Sequence, residues 1–136
     1  MDLANILFIS SSGMQAQSVR LRTISENIAN ADSLAETAGG QPFRRKLVTF
    51  KNVFDKAIGA NRVKIDKLTT DKSDFQKRFD PQHPAADKDG YVQIPNVNPL
   101  VELMDMRQAQ RSYEANLGVI DVTRSMIGRT LALLNG

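Results

Sequence analysis

Residues 100–134 read LVELMDMRQAQRSYEANLGVIDVTRSMIGRTLALL, a run without proline that follows Pro95 and Pro99. Within it Met106, Tyr113, Ile120, Ile127 and Leu134 recur at strict seven-residue spacing, and Leu103, Leu117 and Leu131 form a second track. A repeat of seven keeps one apolar seam turned toward a partner when helices wind around each other, so the spacing predicts a long helix with a heptad seam. Gln110 and Arg124 interrupt the second track, as polar residues do where register and partner choice matter more than stability.

The other end of the chain mirrors this pattern. Between Leu3 and Ala31 there is no proline, and Leu7, Met14, Leu21 and Ile28 stand seven apart, with Leu3, Ile24 and Ala31 on the offset track. Ser10 and Gln17 break that second track, and Ser10-Ser11-Ser12-Gly13 are poor helix formers, so the first turns should be weak when unsupported. Asn30 and Asp32, then Gly39-Gly40 and Pro42, signal the stop. At 1.5 Å per residue the two helices would be roughly 40 and 50 Å long, too long for a compact protein of this mass. The expected fold is therefore α+β: N- and C-terminal helices forming an elongated antiparallel coiled-coil hairpin around a small central β insert. Its parts would be residues 1–36, 37–98 and 99–136, with the two helices making one unit.

The middle of the chain changes period. Val63-Lys64-Ile65-Asp66-Lys67-Leu68 alternates apolar and charged residues as a half-exposed strand does, and Tyr91-Val92-Gln93-Ile94 reads as a second short strand before Pro95. Phe43 to Phe50 fits a strand, but Leu47, Phe50, Phe54 and Ile58 also fit a helical face ending at Gly59. Asp80 to Gly90, rich in Pro, Asp and Gly, reads as a long turn.

Composition narrows the function. The chain has 136 residues, 41% hydrophobic but only 6% aromatic, so Leu, Ile, Val and Met must supply a thin core. It has no Cys, which excludes disulfides, a thiol nucleophile and Cys-ligated metals. Asp2 stands where a secretory leader would carry a basic residue, and no apolar run approaches the roughly 20 residues that cross a bilayer. The net charge of +3 is concentrated centrally: residues 43–88 hold twelve basic and six acidic side chains, while both ends are slightly acidic.

Three constellations could carry chemistry. Asp80, His83, Asp87 and Asp89 lack the bidentate Glu of a calcium loop and the second His of a zinc site, and a stiffened surface turn accounts for them. Phe43-Arg44-Arg45-Lys46, followed by Phe50 and Lys51, interleaves aromatics with cations as single-strand nucleic-acid binders do, but no recognition signature accompanies it. One His, no Cys and no phosphate loop leave an enzyme without its parts. The heptads remain, and Ile6, Phe8, Ile9, Val19, Val119, Met126 and Leu133 lie off both seams and call for neighbours. An assembling protein is expected, with no catalysis, cofactor, metal, nucleic acid or small-molecule substrate. The alternative is a soluble coiled-coil adaptor or a nucleic-acid-binding module that uses the basic centre.

Two segments carry a resemblance. Residues 18–33, from Ser18-Val19-Arg20-Leu21 through Asn27-Ile28-Ala29-Asn30 to Ser33, resemble the N-terminal signature of the bacterial flagellar axial proteins (rod, hook and hook-associated families), in which an Asn-x-Ala-Asn core closes the first helix. Arg111-Ser112-Tyr113-Glu114-Ala115-Asn116-Leu117 resembles the matching C-terminal signature. Phe43 to Lys46, the turn from Asp80 to Asp87, and Gly90-Tyr91-Val92 running into Pro95-Asn96-Val97-Asn98 are similar to the short proximal-rod members of that group.

The resemblance implies a structural subunit of the proximal rod, the part of the drive shaft that spans the periplasm from the inner-membrane ring. It also implies delivery through the flagellar type III export apparatus without a cleaved signal. The implied partners are copies of the chain, other rod proteins, and the inner-membrane ring and export-gate end of the basal body. Leu7, Met14, Leu21, Ile24 and Ile28 would pair with Met106, Tyr113, Leu117, Ile120, Ile127 and Leu131, within the subunit or between neighbours. Asn27 and Asn30 would shape the end of the first helix, and Asn116 lies in the second signature.

Overall fold

The computed structural model describes residues 3–136, so the reading of Asp2 lies outside the described residues. Its elements run α1 (Leu3–Ala29), β1 (Lys46–Asp55), β2 (Ala60–Thr70), β3 (Gln76–Phe79), β4 (Tyr91–Ile94) and α2 (Pro99–Asn135). The class is α+β, with a long helix at each end and two small antiparallel sheets between them, β1 with β2 and β3 with β4. No helix among the described residues is long and apolar enough to cross a membrane.

Local chemistry sets the helix ends. Asn98 caps α2: its Oδ1 accepts the Leu100 N–H at 3.1 Å while its carbonyl accepts the Glu102 N–H at 3.0 Å, and Pro99 sits at the first helical position, where no N–H is needed. Asn30 closes α1, donating from Nδ2 to the Glu26 carbonyl at 2.8 Å and accepting the Ser33 hydroxyl at 3.0 Å. Ser10 to Gly13 are helical despite their propensities. Ser12 Oγ returns its hydrogen bond to the Ile9 carbonyl at 2.7 Å, so the serine is buried with its hydroxyl satisfied.

The chain divides into two compact units. One takes the chain up to Leu21, with Val48–Lys67 and Arg107–Gly136; the other takes Arg22–Leu47 and Leu68–Met106. In the first unit most of β1 and β2 turns through residues 56–59, with Gly59 at φ 61° and Asp55 accepting the Ala57 N–H. Ion pairs Arg62–Asp55 at 2.8 Å and Lys51–Asp66 at 3.3 Å join the strands. Residues 50–55, which also fitted a helical face, are strand: pairing with β2 settles a local pattern compatible with both. Asn5 of α1 reaches the turn, donating to the Ile58 carbonyl at 2.9 Å.

In the second unit β3 pairs antiparallel with β4, Gln76 opposite Ile94 and Phe79 opposite Tyr91. The short and wholly exposed β3 carries no alternation that would announce it in the sequence. Phe79 and Tyr91 meet edge to face at 5.3 Å, and Val92 points into the core. Gly90, at φ 82°, lies where a Cβ would come within 3.0 Å of the Phe79 ring and 3.1 Å of Pro81. Only glycine fits that corner.

Candidate assembly site

The second unit is held by a polar cluster built on Glu102, which is 1% exposed. One carboxylate oxygen accepts from Arg45 Nε at 2.5 Å and the other from Asn27 Nδ2 at 3.1 Å. Asn27, also 1% exposed, pairs with the main chain of Lys46 as a neighbouring strand would: its Oδ1 accepts the Lys46 N–H at 2.8 Å and its Nδ2 donates to the Lys46 carbonyl at 2.9 Å. Asn96 instead bridges two segments, accepting the Arg45 N–H at 2.8 Å and donating to the Asp71 carbonyl at 3.1 Å. A single carboxylate on α2 thus ties α1 and the start of β1 together.

Arg45 faces three carboxylates, Glu102, Asp71 at 3.6 Å and Asp105 at 3.5 Å. Burial works against its charge, but the Glu102 hydrogen bond and the field of the three acids outweigh it and hold the guanidinium more firmly protonated than usual. Asp71 lies below the ordinary carboxylate range, chiefly because Ser73 hydrogen-bonds to it.

The first unit brings the helices together through small and polar groups. A Cβ on Gly13 would lie 3.0 Å from the Asn116 amide, and Arg20 donates to Gln108 Oε1 at 3.4 Å. These contacts ascend α1 as they descend α2. Ala16 and Ala109 are buried, as is Thr123, whose hydroxyl bonds the Val119 carbonyl at 2.7 Å; Asn116 likewise bonds the Ser112 carbonyl at 2.8 Å. The Thr123 hydroxyl and the Asn116 amide N–H are thus satisfied on their own helix and can be enclosed without an orphaned donor.

The residues read from the sequence as seam are placed as follows. Leu7, Met14, Leu21 and Ile28 are half-buried, Ile24 is buried, and Asn27 and Asn30 stand at the end of α1. Met106, Tyr113, Ile120 and Ile127 are half-buried, and so is Asn116. Leu117 and Leu131 are 41% and 53% exposed, and Leu103 on the same track is 48% exposed. The track enclosed beside Met106 and Tyr113 is the one a position earlier, Glu102, Ala109, Asn116 and Thr123, whose buried members are 1%, 0% and 3% exposed at Glu102, Ala109 and Thr123. Sequence reasoning singled out Asn116 through its signature but missed Glu102, Ala109 and Thr123 because they are polar or small, although the spacing is also seven.

The two other constellations fold inward on themselves. Asp87 Oδ1 accepts the N–H groups of Tyr91 at 2.9 Å and Asp89 at 3.0 Å, which holds its carboxyl below the usual range, the Tyr91 bond first. His83 Nδ1 accepts the Ala85 N–H at 3.0 Å. Among the described residues no group of three or more His, Asp or Glu could hold a metal ion. In the basic segment Arg44 donates to the Asp71 and Ser73 carbonyls and lies 4.1 Å over the Phe75 ring. Lys46 pairs with Glu26 at 2.9 Å. These cations serve to fasten the residue 71–75 loop and the end of α1.

Comparison with known proteins gives the group. Residues 7–33 match the profile described as flagella basal body rod protein, and residues 88–133 match that described as flagellar basal body rod FlgEFG protein C-terminal. The chain is 52% identical over 126 residues to the flagellar basal-body rod protein FlgC of Agrobacterium fabrum, covering 93% of this chain and 91% of that one. It is 37% identical to the protein of the same name from Bacillus subtilis, over 93% of this chain and 95% of that one. With the Salmonella typhimurium protein the identity is 37% over 98% of each. The chain belongs to the family of flagellar basal-body rod proteins named FlgC.

Proposed function

We propose that this protein is a structural subunit of the flagellar proximal rod, self-assembling and co-assembling with other rod proteins through its terminal helices. The observation that carries this reading is the outward leucine row of α2, Leu103, Leu117 and Leu131, in a chain of the rod family. The three leucines stand fourteen apart on one line of one helix, with Gln110 and Arg124 between them, and exposed leucines so aligned suit docking against further helices better than contact with water. In this reading α1 and α2 form an antiparallel coiled-coil hairpin, and the leucine row belongs to contacts between subunits. Many such contacts along long helices would distribute torque over the joint. Membership of the rod family supports a site in the basal body, with passage through the flagellar export apparatus and a span across the periplasm.

The test is Leu117→Asp and Leu131→Asp, introduced singly into a motile cell and into the purified chain. Cells carrying either variant should assemble no complete rod and fail to swim, while each purified variant melts as the unaltered chain does. Normal swimming would overturn the reading.

A further inference from the structure

The seam of α2 has two candidate faces that share one track. Met106, Tyr113, Ile120 and Ile127 can be flanked on one side by Glu102, Ala109, Asn116 and Thr123, or on the other by Leu103, Gln110, Leu117, Arg124 and Leu131. At 3.5 residues per turn the flanking tracks lie about 50° to either side of the shared one, so a roll of about 50° about the axis of α2 exchanges them. Apolar burial favours the leucine side, although Gln110 and Arg124 offset part of that gain. The structure nevertheless encloses the polar side.

We propose that the Asn27–Arg45–Glu102 cluster is a rotational lock that holds α2 with its leucine row outward. Rolling α2 toward the leucine face carries Glu102 away from Arg45 Nε and Asn27 Nδ2. That takes the acceptor from Arg45 Nε and one of two acceptors from Asn27 Nδ2, leaving Arg45 with Asp71 and Asn27 with the Lys46 carbonyl, and removing a buried acceptor from a charged donor costs more than forming the pair contributes. The lock is specific to the roll because Glu102 is held from two directions, by α1 and by the start of β1. A contact from one side alone would leave the helix free to pivot about it. That the presented row then serves assembly rests on the rod reading above; the lock itself does not.

The chain has no cysteine, so single thiols report on the roll directly. Gln110→Cys places one on the exposed leucine track without removing a leucine, and Thr123→Cys places a nearly isosteric one on the enclosed track. Labelling rates with a maleimide are measured on the full chain, alone and combined with Glu102→Ala or Glu102→Gln. In the lock-intact chain the thiol of Gln110→Cys should react faster than that of Thr123→Cys by about tenfold or more, as protection by a packed helix requires. With Glu102→Ala the rates should cross, the thiol on the leucine track slowing and the one on the polar track accelerating by about tenfold each, a roughly hundredfold population shift equivalent to about 2.8 kcal/mol. Glu102→Gln, which keeps an acceptor oxygen but loses the charge, should move both rates the same way by less. If Glu102→Ala unfolds the helix and both thiols react quickly, Glu102→Gln decides alone. Rates that rise together in Glu102→Gln, or do not change, overturn the lock. Loss of swimming in the Leu117→Asp strain is read separately, so failure of the lock and failure of the assembly reading are distinguishable.

Discussion

Along α1 the apolar repeat of Leu7, Met14, Leu21 and Ile28 is half-buried throughout, although Phe8 beside it is left open. Along α2 the first track, Met106, Tyr113, Ile120 and Ile127, is half-buried likewise, but the second has Leu103, Leu117 and Leu131 open, and Val122, Met126 and Leu133 with them. The two helices have nearly the same period, so period does not explain the difference. What distinguishes them is the company each keeps. α1 contacts the β1–β2 turn through Asn5 and α2 through Gly13 in one unit, and the start of β1 and α2 through Asn27 in the other. α2 gives its polar flank to those contacts and retains its apolar flank. The comparison teaches that a heptad repeat announces where a helix wants partners, while buried hydrogen bonds decide which flank the first partner takes.

The sharpest way to break that contrast is to remove the buried acid. Glu102→Ala should cost about 3 kcal/mol in a urea melt, because Arg45 Nε and one of the two bonds from Asn27 Nδ2 lose a buried acceptor, while Asp71, Asp105 and the Lys46 carbonyl keep the remaining contacts. Gly90→Ala comes next, at about 1–3 kcal/mol: its left-handed φ and the Phe79 and Pro81 contacts reject a Cβ, and the same melt would show it. Asn98→Ala should cost about 1 kcal/mol by removing the cap of α2, with fraying visible as faster amide exchange at Leu100 and Val101. A slighter effect follows from pH. Asp71 and Asp87 have folded values below their unfolded ones, so their contribution is fully present above the ordinary carboxylate range and is lost as pH falls through the lowered values. Stability should be flat near neutrality and decline in acid, and Asp71→Asn should flatten that decline. At the far end, Leu131→Asn should change the melt of the purified chain by less than about 0.5 kcal/mol, since it removes an exposed group from the open flank. A large loss there would mean that the leucine row is part of this chain's own core and would dissolve the contrast between the helices.

Much of the fold was legible. The terminal helices follow from proline-free stretches with a repeat of seven, and Tyr91-Val92-Gln93-Ile94 stands as a strand where the short apolar run before Pro95 placed it. Asp80 to Gly90 is a turn for the reasons its Pro, Asp and Gly content suggests. Less legible were the segments whose structure depends on a partner. Residues 50–55 fitted two periods until β2 paired with β1, and β3 is too short and exposed for any pattern to mark it. The polar seam was the deepest omission. Glu102 reads as an ordinary charged residue in the first turn of a helix, and nothing near it in sequence reveals that Asn27, 75 positions away, and Arg45 converge on it.

The amino-acid sequence by itself determined two long helices, the stops that bound them, the basic centre and the family, because these depend on local spacing and on signatures written in consecutive residues. Only the tertiary structure decided which flank of α2 is enclosed. Hydrophobic content favours the leucine flank, but the enclosed Glu102 answers to an amide on α1 and a guanidinium at the start of β1. A hydrogen bond between residues far apart in the chain exists only once the chain has brought them together, and no periodicity encodes it.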